Sequence, residues 1–147
     1  MDKLIVSSSA FESNKLIPSR YTCDGENVNP SLAIAGIPEG TKSIVLIVED
    51  PDAPVGLWIH WVVWNIPPVE TIRENSVPGV EGVTTSRKRS YSGPCPPWGT
   101  HRYFFKVFAL DAKLDLSEKS EKKDVEKAMQ NHVLAQGELV GLYHRSR

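Results

Sequence analysis

The chain carries almost no net charge: 17 lysines and arginines face 18 aspartates and glutamates, a formal balance of −1. That leaves no electrostatic footprint for nucleic acid or for an acidic membrane. It also lacks a long apolar run. Leu4-Ile5-Val6 is too short for a secretory signal, and no later segment approaches the roughly 20 apolar residues of a membrane-spanning helix. The expected compartment is the cytoplasm. Cysteine is scarce, with only Cys23 and Cys95. In a reducing cytosol both are expected as free thiols, a disulfide between them being the alternative. Repeats and low-complexity tracts are missing. So are phosphate loops, cofactor fingerprints and serine or cysteine nucleophile motifs, which leaves no cofactor to expect.

What is present is an ordinary globular composition, 40% hydrophobic and 24% charged over 147 residues. This is one domain, 1–147, long enough to bury most of its surface without a metal or crosslink. The 11 prolines and 10 glycines fall mostly between short apolar runs, the punctuation of strands and structured loops. Ser43 to Glu49 is nearly continuous and β-branched, which predicts a central strand buried on both faces. Asp50-Pro51-Asp52-Ala53-Pro54 stops it. Trp58 to Ile66 and His101 to Leu110 predict two more strands, and Glu138 to His144 a last one. Weaker candidates are Leu4 to Ser7, Leu32 to Ile34 and Thr84 to Arg87. One segment predicts a helix, from about Glu121 to Gln136, with Val125, Ala128, Met129, His132 and Val133 on one face, Ser120 as N-cap and Gly137 beyond the C-terminus. The expected fold is mainly β, a two-sheet antiparallel sandwich with one or two peripheral helices.

Three polar clusters lie at strand ends: Asp50 to Pro54, His60 between Trp58 and Trp61, and Gly93 to Tyr103. Strict alternation puts Trp58, His60, Val62 and Trp64 on one face and Ile59, Trp61 and Val63 on the other. It puts His101 with Tyr103 and turns Arg102 away, as an ion-pair partner. Two histidines, each sharing a face with an aromatic ring, suit a pocket lining. His132 is expected as a packing residue. Two histidines and two carboxylates match no zinc spacing, so no metal is expected.

The segments Asp50-Pro51-Asp52-Ala53-Pro54, His60-Trp61-Val62-Val63-Trp64-Asn65-Ile66-Pro67 and Gly93-Pro94-Cys95-Pro96-Pro97 with His101-Arg102-Tyr103, in that order, resemble the phosphatidylethanolamine-binding family. They are most similar to its bacterial and archaeal Raf-kinase-inhibitor-like branch. Tyr21 to Asn27 and His132 to Ala135 add to the likeness. The resemblance implies a β-sandwich with a pocket at one end for phosphate-like anions or phospholipid headgroups. It implies Asp50, Asp52, Trp58, His60, Pro94, Cys95, His101 and Tyr103 as the ligand-binding set, with no catalytic residue. It also implies a homodimer. The longer N-terminal region and C-terminal helical extension of animal members are missing, so kinase inhibition does not transfer with the motifs.

In that setting Asp50 is expected to accept a hydrogen bond from one histidine nitrogen, favouring the imidazolium and leaving the other nitrogen to donate to a ligand oxygen. Tyr103 adds a hydroxyl donor. The expected function is therefore a non-enzymatic, ligand-binding regulator, with a kinase or protease as the protein target. The alternatives are an inhibitor acting through exposed loops, and a weak hydrolase or lyase using the pocket histidines.

Overall fold

A computed structural model describes residues 2–145. Its strands are β1 (Asp2–Lys3), β2 (Ile5–Ser7), β3 (Leu32–Ala35), β4 (Ser43–Asp50), β5 (Trp58–Ile66), β6 (Thr71–Ile72), β7 (Val80–Glu81), β8 (His101–Leu110) and β9 (Val133–Tyr143). A 3-10 turn spans Ser19–Tyr21, and the helix α1 spans Lys122–Met129. Six strands form one sheet in the order β1-β9-β8-β4-β5-β7, and three form the other, β2-β3-β6. Pairing is antiparallel except between β1 and β9, which run parallel.

The larger sheet has both faces covered. Leu46, Val48, Trp61, Val63, Tyr103, Phe105 and Val107 pack toward the small sheet. Val45, Ile47, Val62, Trp64 and Leu110 pack toward α1 through Val125 and Met129. This is why β4 carries no polar alternation: all eight of its residues are buried. Its one charge on the helix side, Glu49, is held by Lys106 Nζ at 2.9 Å and Lys122 Nζ at 2.6 Å. No helix among the described residues is long and apolar enough to cross a membrane.

Three local expectations change. The helix is shorter than predicted and starts one residue later. Glu121, not Ser120, is its N-cap, in a reciprocal capping box with Asp124. It stops at Met129 because Gln130 leaves helical geometry (ψ 131°) and Asn131 then takes a left-handed conformation (φ 68°). The chain then enters β9, where Gly137 lies in mid-strand; a Cβ there would meet the Leu4 carbonyl oxygen at 2.1 Å. His132 therefore leaves the predicted apolar helix face and bonds Asp111 Oδ1 through Nδ1 at 2.8 Å. Thr84 to Arg87 is a turn rather than a strand, with Arg87 at φ 66°.

The cysteines also depart from expectation. They are not free thiols: Cys23 and Cys95 form a disulfide across 72 positions of sequence. The folded loops bring them together independently of it. Cys23 N–H donates to the Pro94 carbonyl at 3.1 Å, and Gly93 N–H donates to Asn27 Oδ1 at 2.7 Å.

Candidate functional site

Antiparallel pairing gathers the polar clusters. The last residue of β4 must lie beside the first residues of its two neighbours, and Asp50 pairs with Trp58 while Glu49 pairs with Phe104 near the start of β8. The loops after β4 and before β8 therefore meet at one end of the sandwich.

Alternation along β5 does not survive to this end. Val48 pairs with Trp61, but the next residue of β4, Glu49, pairs with Ile59. His60 is the extra residue of a β-bulge, the device by which a strand re-aims one side chain. Val62 and Trp64 consequently face the helix, with Ile59 beside them. His60 instead meets Tyr103, ring centroids 5.4 Å apart and edge-on. The expectation that His60 shares a face with Val62 and Trp64 is thus corrected. It reaches the pocket because the bulge breaks the period-2 rule.

His60 is buried, and its Nδ1–H donates to the Ser92 carbonyl at 2.6 Å. Burial is the main influence on its pKa and lowers it, against opposition from the Ser92 bond and the Asp50 charge. On β8, His101 Nδ1–H donates to Asp50 Oδ2 at 2.7 Å, and both side chains are buried. The other Asp50 oxygen accepts the Asp52 N–H at 2.7 Å. Each carboxylate oxygen therefore has a partner, the pattern of a buried acid held in place. Tyr103 is fully buried, and its hydroxyl has no hydrogen-bond partner among the described residues. Burial first, then the Asp50 charge, pushes its pKa up and keeps it a donor.

Asp52 and Pro94 stand apart from these groups. Asp52 is turned to Arg102, taking its backbone N–H and Nε at 2.9 Å on one oxygen and Nη2 at 2.8 Å on the other. That bidentate pairing holds the Asp52 carboxyl at about 2. Its contribution to stability is present above the ordinary carboxylate value near 4 and is lost as pH falls through about 2. The pair is partly exposed, so Asp52→Asn is expected to cost only about 1 kcal/mol at pH 7 and nothing below pH 2. Urea denaturation at both pH values checks this. Pro94 is buried, is not in the cavity lining and offers its carbonyl to Cys23.

The remaining candidates, Asp50, Trp58, His60, Cys95, His101 and Tyr103, border one cavity of about 450 Å³, within the range of small-molecule sites. Sequence reasoning did not assign Asn27, Lys88, Ser92 and Cys23 to it, yet all four line it. Asn27 and Cys23 arrive through the disulfide-linked loop. The signal for their approach is Gly93, where a Cβ would lie 2.1 Å from the Tyr21 carbonyl oxygen. Lys88 arrives through the turn after β7, for which the sequence offers no comparable mark. Pro54, Val55, Pro96 and Pro97 form an apolar rim. Among the described residues no group of three or more His, Cys, Asp or Glu side chains is placed to hold a metal ion.

Comparison with known proteins agrees with the geometry. A sequence model of the phosphatidylethanolamine-binding protein family matches residues 7–144. A UPF0098 protein of Methanothermobacter thermautotrophicus is 50% identical over 144 residues, 92% of this chain and 95% of that protein. Among solved structures, the phosphatidylethanolamine-binding protein homologue CT736 of Chlamydia trachomatis superposes with a TM-score of 0.95 at 38% identity, covering 99% of this chain and 100% of that one. YbcL of Escherichia coli superposes with a TM-score of 0.89 at 30% identity, covering 98% and 99%. With a match that spans nearly every described residue and a sandwich shared end to end, the chain belongs to the phosphatidylethanolamine-binding protein family, among its bacterial and archaeal members.

Proposed function

We propose that the chain is a binding protein for phosphate-type oxyanions, whether free or carried on a phospholipid headgroup. The observation that carries this reading is the buried Asp50–His101 pair at the cavity. Asp50 fixes His101 by its Nδ1–H, so the second ring nitrogen is the edge left for a ligand. As an imidazolium that edge donates a charge-assisted bond. Lys88 adds a cation at the cavity, and Asn27 keeps its amide N–H groups after accepting from Gly93.

Binding rather than turnover is supported by how the histidines are engaged. His60 bonds a backbone carbonyl, His101 bonds Asp50, and the two cysteines bond each other. None of these pairings activates a nucleophile. A homodimeric assembly, a cytoplasmic setting and a kinase or protease target belong to the same proposal, and the pocket needs none of them to hold an anion. The disulfide bears on the setting, since such a bond persists where the surroundings are oxidising or the fold protects it.

The test is calorimetry with inorganic phosphate at pH 6 on the wild type and on His101→Ala. Saturable binding is expected in the first and at least tenfold weaker binding in the second. Equal affinities would remove the basis of the reading.

A further inference from the structure

We infer that the pocket prefers an oxyanion that carries its own proton, namely inorganic phosphate or a monoprotonated phosphomonoester, over a sulfate or a phosphodiester. This rests on the oxyanion reading above and narrows its ligand class.

His60 is the group that sets this preference. Its Nδ1 lies 2.6 Å from the Ser92 carbonyl oxygen. A carbonyl only accepts, so Nδ1 holds a proton in either charge state. The Ser92 N–H also donates to the His60 carbonyl at 3.1 Å, which locks this edge of the ring to the loop. His60 is only 6% exposed, and burial favours its neutral form. A neutral ring with a proton on Nδ1 presents a lone pair at Nε2. That nitrogen makes no hydrogen bond to any described residue. It is also absent from the solvent-sealed, unpartnered atoms, of which the Tyr103 hydroxyl is the sole member among the described residues. Since His60 lines the cavity, its Nε2 is an acceptor open to the ligand.

An acceptor in an anion site repels an unprotonated oxygen and attracts a protonated one. The charges around it act in the same direction. The titratable groups bordering the cavity are Asp50, His60, Lys88, His101 and Tyr103. Asp50 is buried, with both oxygens holding N–H donors, so a second and third negative charge on the ligand meet a fixed one. A proton kept on the ligand reduces that repulsion and supplies the donor that His60 lacks. Sites built around a buried acceptor reject analogues without the matching donor, because the acceptor is then left unpaired.

The experiment compares four probes by calorimetry at pH 6 and pH 8: inorganic phosphate, methyl phosphate, dimethyl phosphate and sulfate. Sulfate matches phosphate in size, so its arm separates the proton from bulk. At pH 6 phosphate and methyl phosphate are expected to bind at least tenfold tighter than the other two. A phosphomonoester loses its last proton near pH 6, so methyl phosphate is expected to weaken by tens of fold between pH 6 and pH 8. Inorganic phosphate keeps one proton throughout and is expected to weaken less. A change confined to the protein would weaken both alike, so an equal loss overturns the inference, as does sulfate binding as tightly as phosphate. No binding by any probe overturns the oxyanion reading itself.

A His60→Asn variant keeps a donor for Ser92 and deletes the Nε2 acceptor. Its preference for phosphate over sulfate is expected to collapse to within a few-fold, and retained preference counts against the role of His60. Short-chain phosphatidic acid, a monoester, and phosphatidylethanolamine, a diester, repeat the comparison on lipid. The first is expected to bind at pH 6 at least tenfold tighter than the second, and parity overturns the inference.

Discussion

Replacing Cys23 and Cys95 together with serine is expected to lower the free energy of unfolding by about 4 kcal/mol. The bond closes a loop of 72 positions, and the chain-entropy account of crosslinks puts a loop of that length near this value. For a domain of this size the expected fall in Tm is roughly 10 °C or more. The pocket wall does not depend on the bond alone. Cys23 N–H to the Pro94 carbonyl, Gly93 N–H to Asn27, and the Tyr91 hydroxyl to the Tyr21 carbonyl at 2.7 Å join the same two loops. The double variant is therefore expected to keep its fold at 25 °C and to bind phosphate only a few-fold more weakly. Scanning calorimetry with and without phosphate measures both effects. A Tm shift below 2 °C would mean that the backbone contacts already hold the loops as firmly as the covalent link.

Asp50→Ala is expected to weaken phosphate binding at least tenfold and to destabilise the fold by about 2–3 kcal/mol. It leaves two donors without their acceptor, the His101 Nδ1–H and the Asp52 N–H, and each orphaned buried group costs on the order of 1–3 kcal/mol. By charge alone, removing an acid from an anion site would help binding. It does not here, because Asp50 fixes the His101 ring by its Nδ1–H. Without that bond the site loses an oriented donor. Asp50→Asn keeps the shape and one acceptor, so it is expected to recover most of the stability and little of the affinity. Urea titration and calorimetry on the two variants separate these outcomes. Full affinity in Asp50→Ala would show that His101 is held by something other than this bond.

The sequence announces the frame of this site more clearly than its interior. The strands β5 and β8 have the predicted bounds, and β4 runs one residue further, because their β-branched and aromatic runs end abruptly at prolines or open from a Pro/Gly loop. What a single strand cannot reveal is its pairing. The bulge that turns His60 toward Tyr103 exists only as a mismatch between β4 and β5, so alternation along β5 alone assigned His60 to the wrong face. Asp52 and Pro94 entered the ligand-binding set through the family resemblance, yet Asp52 is drawn off by the Arg102 guanidinium and Pro94 is not in the cavity lining. The disulfide stood only as the alternative for a related reason: spacing of 72 positions carries no geometric information, whereas the contact of Gly93 with the Tyr21 backbone does. The helix end was misplaced because apolar periodicity continues past Asn131, and the backbone does not.

The central claim is that the histidines at this cavity grip an oxyanion. The most direct test follows the ring nitrogens of all four histidines by ¹⁵N NMR during titration with inorganic phosphate. Saturable shifts are expected at the Nε2 signals of His60 and His101, with His132 and His144, which lie outside the cavity lining, unmoved. Phosphate that leaves both pocket histidines unshifted at saturating concentration would contradict the account.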